Sequence, residues 1–333
     1  MSAQAKEIVN NIKKGVIAPI YFLMGEEAFY IDAISNYIEK TVLDESEKGF
    51  NQMVLYGRDI TIDDIVSNAK RYPMMSPRQV VIVKEAQDLS RTIESLLAYV
   101  ENPQPTTVLV ICYKYKKLDA RKKLSKAIKK VGVLFESKKL YENKIPDFIQ
   151  ATLDSKGYTI TPKASLMLTE FLGTDLGKIH NELQKLQLIV KPGAQITPEI
   201  VEQNIGISKD FNNFELQKAI GDRNVLKAYA IIQYFGQNPK NNPIVMTVSL
   251  LYSFFVKLLK YHALSNKANA AKALGLNPYF IKDYQVAARN YPMKKVSVII
   301  SAIRDVDMKS KGVGASSTPQ ADLLKELLVA IFN

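Results

Sequence analysis

A chain of 333 residues is longer than one core comfortably supports, so two or three domains are expected. At 47% hydrophobic and 23% charged it has an ordinary globular make-up, while a net charge of +12 favours polyanionic partners without choosing between nucleic acid and a membrane surface. One cysteine excludes a disulfide framework or a cysteine-held zinc site, and two histidines, His180 and His262, exclude a histidine-rich metal centre.

The first residues, Met1 to Glu7, lack the apolar stretch of a secretory signal, which predicts a cytoplasmic protein. From residue 20 to about 140, short apolar runs alternate with helical patterns. Residues 20–24, 53–56, 80–83, 107–112 and 131–135 read as strands, and such alternation predicts a parallel α/β sheet. Residues 28–40 place Ile31, Ile34, Tyr37 and Ile38 on one helical face. A helix over residues 62–71 should end near Tyr72, because Pro73 cannot continue the ladder. Cys112 closes an apolar run and reads as a small buried hydrophobe.

After Tyr141 the strand signals stop. Thr161-Pro162 and Thr197-Pro198 each offer a helix cap followed by a proline, and Leu176, Ile179, Leu183, Leu186 and Val190 recur at helical steps. Beyond Asp210 longer helices are expected over residues 214–234, 244–264, 279–290, 294–310 and 321–332, with loops at 236–243 and 310–319. The uncharged stretch 244–256 is too short for the roughly 20 residues that span a bilayer, so it reads as a buried helix and no membrane partner is expected. The expected domains are an α/β domain over 1–142, a small helical domain over 143–210 and a second helical domain over 211–333.

The turn after the first strand, Gly25-Glu26-Glu27-Ala28-Phe29-Tyr30, is where a nucleotide-binding protein keeps its phosphate loop. It has neither the further glycines nor the Lys and Ser/Thr that such a loop needs, and two carboxylates there would repel a triphosphate. The third strand leads into Lys84, Glu85 and Ala86 without an acidic metal-holding pair, and Glu85 alone reads as a surface or capping residue. No catalytic residue and no cofactor are expected.

Two features point to partners. Met74 and Met75 fall in a Pro-bounded connection, Pro73-Met74-Met75-Ser76-Pro77, where flexible thioethers suit a pocket on another protein; closing the core over the sheet edge is the other reading of the same pair. Residues 112–139 hold eleven basic and two acidic side chains, and Lys114, Lys116, Lys117, Arg121, Lys122, Lys123 and Lys126 are its candidate phosphate contacts. A merely solvated helix face is the alternative. Tyr113 and Tyr115, set among the lysines, fit either a stacking platform or a packed strand end.

Residues 20–27, the run Pro73-Met74-Met75-Ser76-Pro77-Arg78-Gln79-Val80, residues 117–124, residues 173–186, Leu274-Gly275-Leu276-Asn277-Pro278-Tyr279 and Asp307-Met308-Lys309 together resemble the delta subunits of bacterial DNA polymerase III. The resemblance runs in register over nearly the whole chain. It implies a degenerate AAA+ domain, a helical lid and a helical collar. It also implies a non-hydrolysing subunit that opens the ring-shaped sliding clamp, the beta subunit, for loading on primed DNA. Its implied partners are ATP-hydrolysing loader subunits and delta-prime in a hetero-pentamer, within a nucleotidyltransferase holoenzyme. In that family an apolar pair before the strand inserts into a pocket on the clamp, and Met74 and Met75 occupy those positions, with Met where Phe or Leu is common. The motor subunits of the same assembly need a phosphate loop and usually a four-cysteine module. Delta-prime relatives carry a cysteine module and a Ser-Arg-Cys motif, which this chain lacks. A basic nucleic-acid-binding adaptor unrelated to clamp loading is the competing expectation.

Overall fold

The computed structural model describes residues 3–314 and 318–333; part of the 310–319 loop therefore lies outside the described residues. The chain forms two compact units, Met1–Leu140 and Tyr141–Asn333. The first boundary falls two residues before the expected 142, and residue 210 lies within the second unit.

The first unit is built on a five-stranded parallel sheet: β1 (Ile20–Gly25), β2 (Gln52–Tyr56), β3 (Gln79–Lys84), β4 (Thr107–Lys114) and β5 (Val133–Ser137), in the order β2-β3-β4-β1-β5. The central strands β1, β3 and β4 are buried on both faces, which is why they read as continuous apolar runs instead of alternating ones. On one face Ile20, Phe22, Val81, Val83, Leu109 and Ile111 pack with Ile65, Leu96, Leu124 and Ile128 from the crossover segments. Cys112 is buried, and burial pushes its thiol up to about 11, so it is a core residue at neutral pH.

The five expected strands and the parallel α/β class are found. Local differences have physical causes. The helix expected over 62–71 covers only Ile62–Ala69; the carbonyl of Ala69, whose helical donor would be the N–H that Pro73 lacks, accepts from the side chains of Gln79 and Thr107 instead. Strand signals do not stop at Tyr141: Thr159–Ile160 and Gln195–Ile196 pair in parallel, a two-residue ladder too short to show a period.

The single helix expected over 214–234 is two, Asn213–Gly221 and Val225–Gln237. Asn224 Oδ1 accepts from Lys227 N at 3.0 Å and starts the second, after Arg223 at a φ of 55° has broken the first. The helix Ile244–Ala263 is 20 residues long, apolar enough by composition to cross a bilayer, but Val248, Leu251, Phe254, Phe255 and Leu258 build the core of the second unit. In that unit Glu215, almost fully buried, is paired with Lys163 at 2.6 Å and with Lys227, joining three helices. Burial alone would raise its carboxyl, but the two ammonium groups outweigh it and hold the pKa below the ordinary range.

Gly25 sits at a φ of 118°, and a Cβ there would lie 2.1 Å from the Ser137 carbonyl oxygen. Gly25→Ala is therefore expected to destabilise the first unit by roughly 2–4 kcal/mol, measured by chemical denaturation followed by circular dichroism.

Candidate protein-docking site

The connection between residue 70 and β3 is short of secondary structure, yet it is firmly held. Asn51, buried at the end of the helix Glu45–Asn51, clasps the main chain of Met74 from both sides: Met74 N donates to its Oδ1 at 2.6 Å and its Nδ2 donates to Met74 O at 2.9 Å. Gln79, at the start of β3, donates through Nε2 to the carbonyls of Arg71 at 2.5 Å and Asn68 at 3.2 Å, and to Thr107 Oγ1 at 2.8 Å. Ser76 Oγ donates to Arg78 O at 3.0 Å. These polar anchors fix the backbone and send the side chains outward. Met74 is 57% exposed, Met75 97% and Tyr72 80%. Met75 has a φ of 54°, a left-handed conformation uncommon for an unbranched side chain outside turns. Neither methionine closes the core. Asn51, Gln79 and Thr107 escaped sequence reading because an amide or hydroxyl bound to a distant main chain leaves no periodic signal.

The C-terminal end of the sheet is closed by the chain itself. Gly25 N donates to Lys116 O at 3.0 Å, Tyr115 N to Gly25 O at 2.8 Å, Glu26 N to Ser137 O at 3.1 Å, and Ser137 Oγ to Met24 O at 3.1 Å. The main-chain groups of this turn are thus bonded to β5 and to the residues after β4, not free to wrap a phosphate. Glu27 accepts from Phe29 N at 3.2 Å and caps the helix Ala28–Thr41.

At the end of β4 the Lys114 ammonium lies 2.9 Å from Asp32 Oδ1 and 2.8 Å from Glu85 Oε1. Hydrogen bonds from Lys114 and then Gln87 hold the Glu85 carboxyl below the usual range, the opposite of a poised general base. Burial opposes the charge of Lys114, but its two carboxylate partners outweigh that and keep it above the lysine range.

The remaining basic candidates are disposed differently. Lys116, Lys117, Lys122, Lys123 and Lys126 are exposed, the last two on the helix Lys123–Val131, whose Leu124 and Ile128 face the core. Lys116 donates to Ser90 Oγ at 2.7 Å, and Lys122 lies 3.3 Å from Glu94. Arg121 is engaged with Asp119, at 3.1 and 2.8 Å. Lys114 does not share this exposure, since its side chain is 13% accessible and doubly paired. Tyr113 is buried against Phe22, with ring centroids 5.6 Å apart, while Tyr115 is exposed at a φ of 59°. His262 Nε2 is 2.8 Å from Tyr291 O, and no cluster of three metal-ligating side chains occurs among the described residues.

Comparison with known proteins gives a consistent result. A family described as DNA polymerase III, delta subunit, matches residues 21–138, and one described as DNA polymerase III delta subunit, C-terminal domain, matches residues 210–329. The chain is 29% identical over 320 residues to the DNA polymerase III subunit delta of Bacillus subtilis, covering 91% of each. It is also similar to the solved structure of the Bacillus subtilis DNA clamp loader delta protein, with a TM-score of 0.55 and 26% identity over 98% of this chain and 99% of that one.

Asn51→Ala removes both bonds to Met74, and a loss of about 1–2 kcal/mol is expected by urea denaturation, with faster proteolytic nicking between residues 71 and 78. The ion pairs at Lys114 set a pH dependence. Glu85 has a lowered folded pKa, so its contribution is present above the ordinary glutamate value of about 4.3 and is lost as pH falls through the folded value. Lys114→Met should flatten this acid limb in stability measured between about pH 5 and 3.

Proposed function

The chain belongs to the family of DNA polymerase III delta subunits, and we propose that it opens a ring-shaped sliding clamp by docking Met74 and Met75 into an apolar pocket on that ring. One observation carries the reading: two neighbouring methionines stand in water on a main chain held by buried amide bonds. An exposed pair on a loose loop would lose much of its docking energy to ordering; here that cost is already met by Asn51 and Gln79. Each fully buried methionine contributes roughly 1.5–3 kcal/mol. Opening is a population shift, so the pair acts only through the difference between its affinities for the open and the closed ring.

In this proposal residues 1–142 form the clamp-gripping domain, 143–210 a lid and 211–333 a collar that assembles with ATP-hydrolysing subunits and delta-prime in a hetero-pentamer. The work on this chain is mechanical. Its own carboxylates and lysine occupy each other where nucleotide chemistry would be sought, and hydrolysis belongs to the partners. Lys116, Lys117, Arg121, Lys122, Lys123 and Lys126 are proposed contacts to the phosphates of primed DNA, which they would neutralise without reading bases. Lys114 is left out of that set because its charge is spent on Asp32 and Glu85. Family membership sets aside the adaptor unrelated to clamp loading.

The double variant Met74→Ala/Met75→Ala is expected to weaken binding to the immobilised clamp at least 100-fold by surface plasmon resonance, with an unchanged thermal melt. Undiminished affinity would remove the mechanism.

A further inference from the structure

One carboxylate of the helical unit is drawn away from water without a cation beside it. Glu170 stands in the last turn of the helix Pro162–Leu172. Its Oε2 accepts from Phe214 N at 3.2 Å, and its Oε1 has no hydrogen-bond or ion-pair partner among the described residues. Glu215, the residue after Phe214, shows the usual remedy, two ammonium groups from Lys163 and Lys227. Glu170 has none. Burial therefore pushes its carboxyl up to about 8, with the bond from Phe214 N opposing and the charge of Glu142 reinforcing. Glu142 is the charged neighbour that acts on it; the carboxylates of the packed helices, Glu199 and Glu215 among them, have lysine partners of their own.

Glu170 lines a cleft that tertiary packing assembles from separate stretches of chain: Met167 from its own helix, Phe211 and Asn213 from the connection and helix start that follow, Tyr234 and Met246 from two core helices. The Phe211 and Tyr234 rings stack at 5.0 Å and 23°, which makes a flat aromatic wall. Asn213 supplies a second idle acceptor. It is 8% exposed, and its Oδ1 is buried with no hydrogen-bond partner. A buried acceptor without a donor is costly and rare, so two on one cleft mark a place short of donors and of positive charge. The enclosed space is about 40 Å³, room for a flat head group but not for a whole metabolite.

The lining decides among donors. A metal ion needs more hard ligands than one carboxylate, and no cluster of three metal-ligating side chains occurs among the described residues. Water would satisfy the two acceptors but would gain nothing from the aromatic wall or the thioethers. An alkylguanidinium uses every part: a fixed fork of N–H donors for the carboxylate and the amide oxygen, a planar face for the rings, and an apolar stem for Met167 and Met246.

We propose that this cleft is a socket for an arginine side chain presented by a partner protein, its guanidinium donating to Glu170 and Asn213. A space that holds the head and part of the stem leaves the rest of the ligand in the open, which suits a side chain on a protein surface better than a free small molecule. The proposal does not depend on the methionine pair, because every residue of the cleft lies within Tyr141–Asn333.

The test is methyl NMR of the full chain labelled at its methionine ε-carbons and titrated with N-acetylarginine amide. The Met167 and Met246 signals, identified by Met167→Leu and Met246→Leu, are expected to shift along one saturating curve at roughly millimolar ligand, with Met24 in the first unit unmoved. N-acetyllysine amide should bind at least about fivefold more weakly, having one point charge for two acceptors. Glu170→Gln keeps an acceptor for Phe214 N but removes the charge, and should lower affinity at least about tenfold; Phe211→Leu should lower it roughly threefold to tenfold. Only the ionised carboxylate pairs with a cation, so affinity should climb about tenfold between about pH 6 and 7 and level off above about 8, in the parent and not in Glu170→Gln. No saturating shift, equal binding of the lysine amide, or parental affinity in Glu170→Gln would each overturn the assignment. So would tighter binding of free agmatine than of a blocked tripeptide with arginine at its centre, the mark of a small-molecule pocket. Phe211→Leu, which lies outside the helices, carries the comparison if Glu170→Gln melts early.

Discussion

A side-chain amide that bonds both main-chain groups of one residue is the constraint on which the proposed docking site depends. Asn51 does this for Met74, at 2.6 and 2.9 Å, from a position closed to water. Apolar side chains left in water tend to fold back onto the nearest apolar surface. Met74 and Met75 are prevented because the chain beneath them is fixed at residue 74 by Asn51 and at residues 68 to 71 by Gln79. The cost of order is met during folding, by bonds in a low-dielectric setting where an unmade bond is expensive. What remains at the surface is contact area whose shape does not have to be found again on docking.

The same logic governs the closed end of the sheet. In a parallel α/β unit, the C-terminal ends of the strands present unsatisfied main-chain donors and the positive ends of helices, which is where ligands usually sit. Here the turn after β1 gives those donors to Lys116 and Ser137, Glu27 caps the following helix, and Lys114 joins Asp32 to Glu85. Satisfying these groups internally trades ligand chemistry for rigidity. A rigid unit transmits force from a docked partner to the rest of an assembly better than one with an open, deformable cleft.

How much of this could be read from residues alone depended on the range of the interactions. Buried parallel strands advertise themselves as apolar runs, and all five were legible, as were the Thr-Pro helix starts. The breaks were less visible: Gly221 to Asn224 carries turn residues, yet the apolar period on either side masks them. The prolines placed the methionine pair in a connection but left its exposure open against closing the core, and its support was not legible at all, since Asn51 and Gln79 act across 23 and up to 11 residues of sequence. Charge misled in a different way. A short dense run of lysines draws the eye, whereas the absence of carboxylates over residues 223–282 is a negative pattern that only a whole-chain count reveals. Lys114 belonged to the dense run and proved to bridge two carboxylates, Asp32 and Glu85, which distance, not composition, decides.

An outward thioether is soft as well as apolar. Met24 and Met167, 5% and 0% exposed, are shielded by packing, whereas Met75 at 97% meets dissolved oxidants first. Conversion to the sulfoxide places a strong dipole on a side chain proposed to enter an apolar recess, and reductases can reverse it. Where a Phe or Leu would be indifferent to peroxide, the proposed docking pair carries sulfur that an oxidant in water can reach.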